Sequence, residues 1–441
     1  MSEESFDVII VGAGVAGVSA AYHLQQARSV HDEAPTNKIL IVDAGPEAGE
    51  GRSPRCSGSA TMPDSVAPCV KMMVQLYAAS SAEFIHHHGT DGARRYLRAA
   101  KQGLELQKEI AQRIWQDPER TSGEQQPQQH IRQLGSYYVA YQEDEEELRK
   151  EFETLQSLGC CEDIEWCDRQ RLAAVQGLSQ CNFYCGIFFP RDAVIDSSLY
   201  AKTLLEYLLK TTTNIHFWPN TRVSHVTQTG DDSVVVQLED DLRQEKSLTC
   251  QQVIMATGGL FQIPRLNGLL KPCYSYLVHV PLSSHDNDNC THCDYSANFF
   301  TWKFTHDWCF TEGQIRISGE DHFSAYKSPL CEERCANLTK WTLEQYKNRV
   351  SDTEIDDFCK SLPQQYGIYS ETPDLAPLIG SLPDQKRITY LVGCNAWGQT
   401  ILSYCSSLVP GLLGYKHLTE SQKDALQLVS IRRFSELPAV R

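Results

Sequence analysis

Phe6-Asp7-Val8-Ile9-Ile10-Val11-Gly12-Ala13-Gly14-Val15-Ala16-Gly17 is a short apolar, β-branched run that stops at three glycines and passes into the helical pattern Ser19–Gln26. It predicts a buried strand, a tight turn and a helix. Gly12 permits the turn, Gly14 lets backbone approach a pyrophosphate, and Gly17 lets the helix lie close against the strand. Backbone N–H groups at the helix start, Val15 and Ala16 included, then face the phosphates with the positive end of the helix dipole behind them. A second apolar run, Lys38-Ile39-Leu40-Ile41-Val42, ends at Asp43-Ala44, and Asp43 is the acidic residue expected at the ribose hydroxyls. The polar insert Arg28–Asn37 accounts for an offset longer than the usual spacing of about 20 residues. A Rossmann-type α/β unit for a dinucleotide therefore opens the chain.

The bulk composition limits what else the chain can be. At 441 residues it exceeds the size at which single cores divide, so two interleaved domains are expected. Forty basic residues stand against 56 acidic ones, a formal charge of −16 that repels phosphate backbones and anionic lipid surfaces, so no nucleic-acid partner is expected. The apolar runs Val8–Val11 and Leu408–Leu413 fall well short of the roughly 20 residues that span a bilayer. Glu3, Glu4 and Asp7 stand where a leader needs basic residues, no Ser-Lys-Leu ends the chain, and the expected location is cytoplasmic. Seventeen cysteines, an odd number, then read as reduced thiols rather than a disulfide framework.

Two further segments bear on which dinucleotide binds. Val253-Ile254-Met255-Ala256-Thr257-Gly258-Gly259 resembles the strand at which flavoproteins return to the nucleotide sheet, and Tyr390-Leu391-Val392-Gly393-Cys394-Asn395-Ala396-Trp397-Gly398-Gln399-Thr400 breaks at glycine before a helix through Leu402–Leu408. A helix N-terminus there would stabilise negative charge on the pyrimidine end of a reduced flavin. No second G-x-G-x-x-G follows a strand in mid-chain, so NAD(P)H is not an expected partner.

With Gly51–Thr61, Phe189–Asp196 and Glu371-Thr372-Pro373-Asp374-Leu375-Ala376-Pro377-Leu378-Ile379-Gly380, these motifs make nearly the whole chain resemble the D-amino-acid oxidase superfamily, in the branch of glycine and sarcosine oxidases and related FAD-dependent amine dehydrogenases. The resemblance implies a Rossmann-type FAD-binding domain facing a second, α+β substrate domain built on an antiparallel sheet. It implies that a hydride leaves the carbon beside an amine, giving an imine that water hydrolyses. Family topology assigns residues 1–92, 187–260 and 371–441 to the FAD domain and 93–186 and 261–370 to the substrate domain. The expected FAD contacts are Gly12, Gly14, Val15, Ala16, Gly17, Asp43, Ala44, Ser57, Gly58, Ser59, Ala60, Val223, Thr257, Gly258, Gly393, Gly398, Gln399 and Thr400.

The chain departs from its relatives at the flavin tethers. Gly367 occupies the position of the tethering cysteine of monomeric sarcosine oxidases, and Arg55 and Cys56 stand where other relatives attach flavin through histidine. Non-covalent FAD is therefore expected. Thr400 stands where the sarcosine-oxidase type places a lysine near the flavin carbonyl, which bears on oxygen reactivity.

On the substrate side, Phe299-Phe300-Thr301-Trp302-Lys303-Phe304 reads as a strand whose alternate residues face a pocket. By family position Lys303 is the first candidate to clamp a substrate carboxylate and Arg316 the second, with a solvent-facing strand lysine as the other reading of Lys303. Trp397 is either a wall of the substrate site or a core residue. No general base is evident. His86-His87-His88 points in three directions on a helix and reads as a surface patch, while Cys160-Cys161 lacks a redox context. Cys290, Cys293, Cys331 and Cys335 have a spacing compatible with zinc but looser than zinc-ribbon patterns, and no metal is assigned. Glu119–Gln129 reads as a polar loop. Two other functions stay open: a flavin dehydrogenase of a hydroxy acid serving a quinone or carrier protein, and a non-catalytic FAD-binding scaffold.

Overall fold

The computed structural model describes residues 5–29, 38–45, 72–115, 131–240, 242–258, 263–282, 296–311, 313–324, 332–346 and 364–434. Val8–Val11 forms a fully buried strand at the heart of a six-stranded sheet. In spatial order the strands are Leu378–Gly380, Ile388–Val392, Gln252–Met255, Val8–Val11, Ile39–Val42 and Ile215–Trp218. All pairs are parallel except the edge strand Leu378–Gly380. Strands covered on both faces need apolar residues at every position, which explains why Val8–Val11 and Ile39–Val42 show no polar alternation. Val8 and Ile10 pack into the core that holds helices Val15–Ser29 and Gly398–Leu412, while Ile9 and Val11 face the core under an antiparallel meander. That meander is Arg222–Thr229, Ser233–Glu239 and Glu245–Cys250.

A second, eight-stranded sheet runs in the order Gln364–Glu371, Lys271–Pro281, Gln314–Phe323, His306–Thr311, Asn298–Thr301, Ser136–Ala140, Cys185–Phe189 and Glu165–Cys167. It is antiparallel except where Asn298–Thr301 runs parallel to Ser136–Ala140. Cys185–Phe189 pairs antiparallel with Ser136–Ala140 in this sheet. One face buries Tyr274, Tyr276, Trp308, Ile315 and Ile317 with the helix Glu332–Gln345, and the other sends Leu277, Phe300 and Cys309 into the core shared with the nucleotide half.

The long helix Ser81–Trp115 breaks its regular backbone at Gly89 and crosses Gly398–Leu412 closely at Gly103. A Cβ on Gly103 would sit 1.9 Å from the Thr400 carbonyl oxygen, so only glycine lets the two helices approach this far. Among the described residues no helix is long and apolar enough to cross a membrane, and the eleven cysteines are free thiols.

Candidate active site

The first glycine turn is shaped by contacts that a side chain would destroy. Gly12 has φ of 106°, and a Cβ there would lie 2.3 Å from the Ala256 carbonyl oxygen. A Cβ on Gly17 would lie 1.9 Å from the Gly12 carbonyl oxygen. Gly14 differs, because nothing lies within 4 Å of where its Cβ would stand, and that open space sits at the N-terminus of Val15–Ser29. Asp43 closes the next side: its Oδ2 accepts the Ala13 N–H and its Oδ1 the Gly45 N–H, each at 2.7 Å. The N–H groups of Asn220 and Thr221 donate to the Gly45 and Asp43 carbonyls at 2.8 Å. This brings Val223, buried at a register shift in the meander, close behind Asp43 and Ala44 in the chain path.

Two polar atoms around this cradle are buried without a hydrogen-bond partner: Thr257 Oγ1 and Gln399 Nε2. Gln399 lies in the first turn of Gly398–Leu412, whose N-terminus at Trp397 has no side-chain cap. Orphaned polar atoms, an uncapped helix start and an open glycine cradle fit a polar, anionic dinucleotide such as FAD. FAD bound there would supply a hydride acceptor. The Thr400 hydroxyl is engaged within the protein, donating to the Val74 carbonyl at 2.7 Å. Ala16 and Gly258 likewise use their carbonyls internally, accepting from Ser406 Oγ at 2.9 Å and Ser370 Oγ at 3.2 Å. Ser57, Gly58, Ser59 and Ala60 lie outside the described residues.

The second glycine turn is bolted in place by Asn395. Its Oδ1 accepts the Thr372 N–H at 2.8 Å and its Nδ2 donates to the Gly393 carbonyl at 2.9 Å, tying the Thr-Pro-Asp segment to the turn. Gly393 has φ of 78°, and a Cβ there would meet Thr372 Cγ2 at 2.7 Å. Asn395 and Ala396 also hold positive φ, 48° and 63°. The Thr-Pro-Asp aspartate is an anchor: Arg433 donates to Asp374 through Nε at 2.6 Å and Nη2 at 2.9 Å. Burial opposes ionisation of Asp374, but the hydrogen bonds and charge of Arg433 outweigh it and hold the carboxyl below its ordinary range.

Between this turn and the eight-stranded sheet lies a cavity of about 450 Å³. Asn395, Ala396, Trp397 and Leu375 wall it from the nucleotide side, and Tyr138, Trp302, Lys303, Phe304, Asp307, Asp321, Tyr369 and Glu371 from the other. Five of its wall residues, Lys303, Phe304, Leu375, Asn395 and Ala396, carry positive φ without being glycine. Backbone strain of this kind collects where surrounding structure holds a functional geometry. Burial pushes the Asp307 carboxyl well above the ordinary carboxylate range, the charge of Asp321 adds to this, and a hydrogen bond from Trp397 works against it. Asp321 is also raised, by desolvation, although its side chain is accessible through the cavity, and it accepts the Tyr369 hydroxyl at 2.9 Å.

A family model described as FAD dependent oxidoreductase matches residues 7–409. The chain belongs to this D-amino-acid oxidase family. Glycine oxidase from Geobacillus kaustophilus superposes on this FAD-dependent oxidoreductase with a TM-score of 0.68 at 15% identity, covering 94% of this chain and 96% of that one. L-Amino acid deaminase from Proteus vulgaris gives 0.62 at 17% identity, covering 98% and 94%. L-alpha-Glycerophosphate oxidase from Mycoplasma pneumoniae, with FAD bound, gives 0.64 at 15% identity, covering 94% and 96%. At these identities the likeness is one of fold. No protein of curated function matches the sequence.

In this family member the expected substrate residues fall in different places. The strand expected over Phe299–Phe304 ends at Thr301, because Lys303 and Phe304 turn left-handed with φ of 70° and 57°. Alternation therefore stops, and Trp302, Lys303 and Phe304 all reach the cavity. Lys303 is 56% exposed and its ammonium lies 2.9 Å from Asp144 and 3.2 Å from Glu147. Arg316 is 7% exposed, paired in register with Cys309 and His279, and is not among the residues lining the cavity. Trp397 lines it, edge-on to Phe300 and Phe304. His88 is not on a surface patch: it is 9% exposed at its side chain, and its Nε2 lies 2.6 Å from the Asp374 carbonyl. Cys290, Cys293, Cys331 and residues 119–129 lie outside the described residues, and Cys335 is buried in its helix.

Sequence reasoning missed Asp307, Asp321, Tyr138, Tyr369 and Glu371. Each lies in a strand, and for Asp307, Asp321 and Glu371 the signal available was a charged residue within an otherwise aromatic or β-branched run. Which face it served was decided by cross-strand register.

Proposed function

We propose that this FAD-dependent oxidoreductase oxidises the C–N bond of a small amine or amino acid of the glycine, sarcosine or N-alkyl type, passing a hydride to flavin and leaving an imine that water hydrolyses. The observation that carries this reading is the position of Asp307 in the wall of a cavity that abuts the second glycine turn. An ammonium ion has no lone pair to assist loss of hydride, so a protonated amine must first give up its proton. A carboxylate whose pKa is lifted by burial is a stronger base than an ordinary one and suits that transfer.

A second reading, oxidation of an alcohol, draws on the similar fold of the glycerophosphate oxidase. A phosphorylated or 2-hydroxy acid donor is anionic, however, and it would meet Asp307, Asp321 and Glu371. Anaerobic mixing of the FAD-loaded protein with single donors tests the choice through the flavin absorbance. Amines or amino acids are expected to bleach it. Bleaching by hydroxy acids or glycerol phosphate alone would replace the proposal, and bleaching by none of them would favour a scaffold role.

A further inference from the structure

The cavity wall carries more carboxyl groups than an amino-acid donor would suit. Glu83, Glu147, Asp307, Asp321 and Glu371 line it, against a single lysine. That lysine, Lys303, is held by Asp144 and Glu147, so its charge is already matched by two carboxylates. Among the described residues no arginine lines the cavity. A donor bearing a carboxylate would bring a further negative charge to this wall with little to balance it.

Acidity alone does not define a ligand, but Asp307 adds a separate observation. Asp307 is partly exposed where it lines the cavity, and its Oδ1 is buried without a hydrogen-bond partner. Trp302, Phe304 and Trp397 stand on the same wall, and aromatic faces attract cations through their quadrupoles while also covering an apolar chain. A flavin ring gains negative charge on reduction, so this wall is poorly suited to contact the ring directly and well suited to a cation.

We infer that the donor is a cationic amine with no carboxylate of its own, its ammonium set against the Asp307 carboxyl and its carbon chain lying against Phe304 and Trp397. This inference rests on the amine-oxidation reading above and narrows it to one substrate class. Glycine and sarcosine become poor ligands, and alkylamines and diamines good ones.

The test uses the FAD-loaded full chain, with butylamine, 1,4-diaminobutane, glycine and sarcosine as probes, each titrated calorimetrically and each mixed anaerobically with the oxidised flavoprotein. The amines are expected to bind at least about tenfold more tightly than the two amino acids, the scale of one like-charge repulsion between the amino acid's carboxylate and the acidic wall. Asp307→Asn should abolish that preference while the flavin spectrum and far-ultraviolet circular dichroism stay unchanged. If that variant does not fold, Asp321→Asn should reduce the preference by a smaller factor, and the preference of the unaltered protein is itself decisive. Glycine or sarcosine binding as tightly as the amines and bleaching the flavin would overturn the inference and leave the amine-oxidation reading intact. Amines that bind in this order without bleaching would keep the cation site and remove that reading instead.

Discussion

Asp192 has no exposed surface, and its carboxyl is held by three donors. Oδ1 accepts the Gln75 N–H at 3.2 Å and its Nε2 at 3.1 Å, and the Ser136 hydroxyl donates to Oδ2. Burial still dominates, lifting the group from its ordinary 3.8 to about 7 against the pull of those hydrogen bonds. The folded state therefore binds a proton that the unfolded chain has released, so this group's contribution is fully present below pH 3.8 and is lost as pH rises through about 7. Asp192→Asn keeps the shape and removes the titration. The unaltered protein is expected to gain Tm relative to the variant as pH is lowered from about 8 to about 5. A constant difference between the two melting curves over that range would show that Asp192 is ionised throughout. Asn395 and Asp374 are the other kind of buried polar residue, neutral or firmly paired, and their work is to hold two loops together at the cavity.

At the scale of elements, the first glycine turn separates two requirements that its motif merges. Gly17 is needed by the protein, since its Cβ would overlap the Gly12 carbonyl, whereas the space at Gly14 is empty. Gly17→Ala is expected to destabilise the apoprotein by about 1–3 kcal/mol, the range for a forced overlap at a tight packing point. Gly14→Ala should leave the apoprotein Tm nearly unchanged and weaken FAD binding by about tenfold or more, because the methyl group enters the space a pyrophosphate needs. Thermal melts with and without added FAD distinguish the two. If Gly14→Ala melts early without FAD, or binds FAD normally, the cradle is not where the phosphates lie. Gly103 is the corresponding point on the long helix, where the approach of the Thr400 carbonyl leaves no room for a methyl group.

Across the whole molecule, the parallel sheet and the eight-stranded sheet meet at the cavity, and the flavin is expected to sit at that junction without a covalent tether. Gly367, at the position of the tethering cysteine of some relatives, lies in Gln364–Glu371, paired with Ser275 of the neighbouring strand. Acid or heat precipitation should release all the flavin absorbance into the supernatant. Yellow colour retained by the washed pellet would mean that a covalent link exists elsewhere in the chain.

The parallel sheet was legible in the sequence because a strand buried on both faces must be apolar at every position and because a dinucleotide turn constrains three glycines at fixed spacing. Val8–Val11, Ile39–Val42, Val253–Met255 and Tyr390–Val392 are each short apolar runs that announce themselves. The chemistry of the donor site was not legible. Asp307 follows His306, precedes Trp308, and is opposite Ser318, and nothing in that local string says that its carboxyl shares a wall with Asp321, Tyr369 and Glu371. Lys303 read as a strand residue until the backbone turned left-handed beneath it, and its ammonium went to Asp144 and Glu147, more than 150 residues earlier. Local pattern is set by burial and backbone preference, which act between neighbours in the chain. The pKa of a carboxyl and the partner of a cation are set by desolvation and Coulomb interaction across space, which exist only once the two sheets have closed on each other.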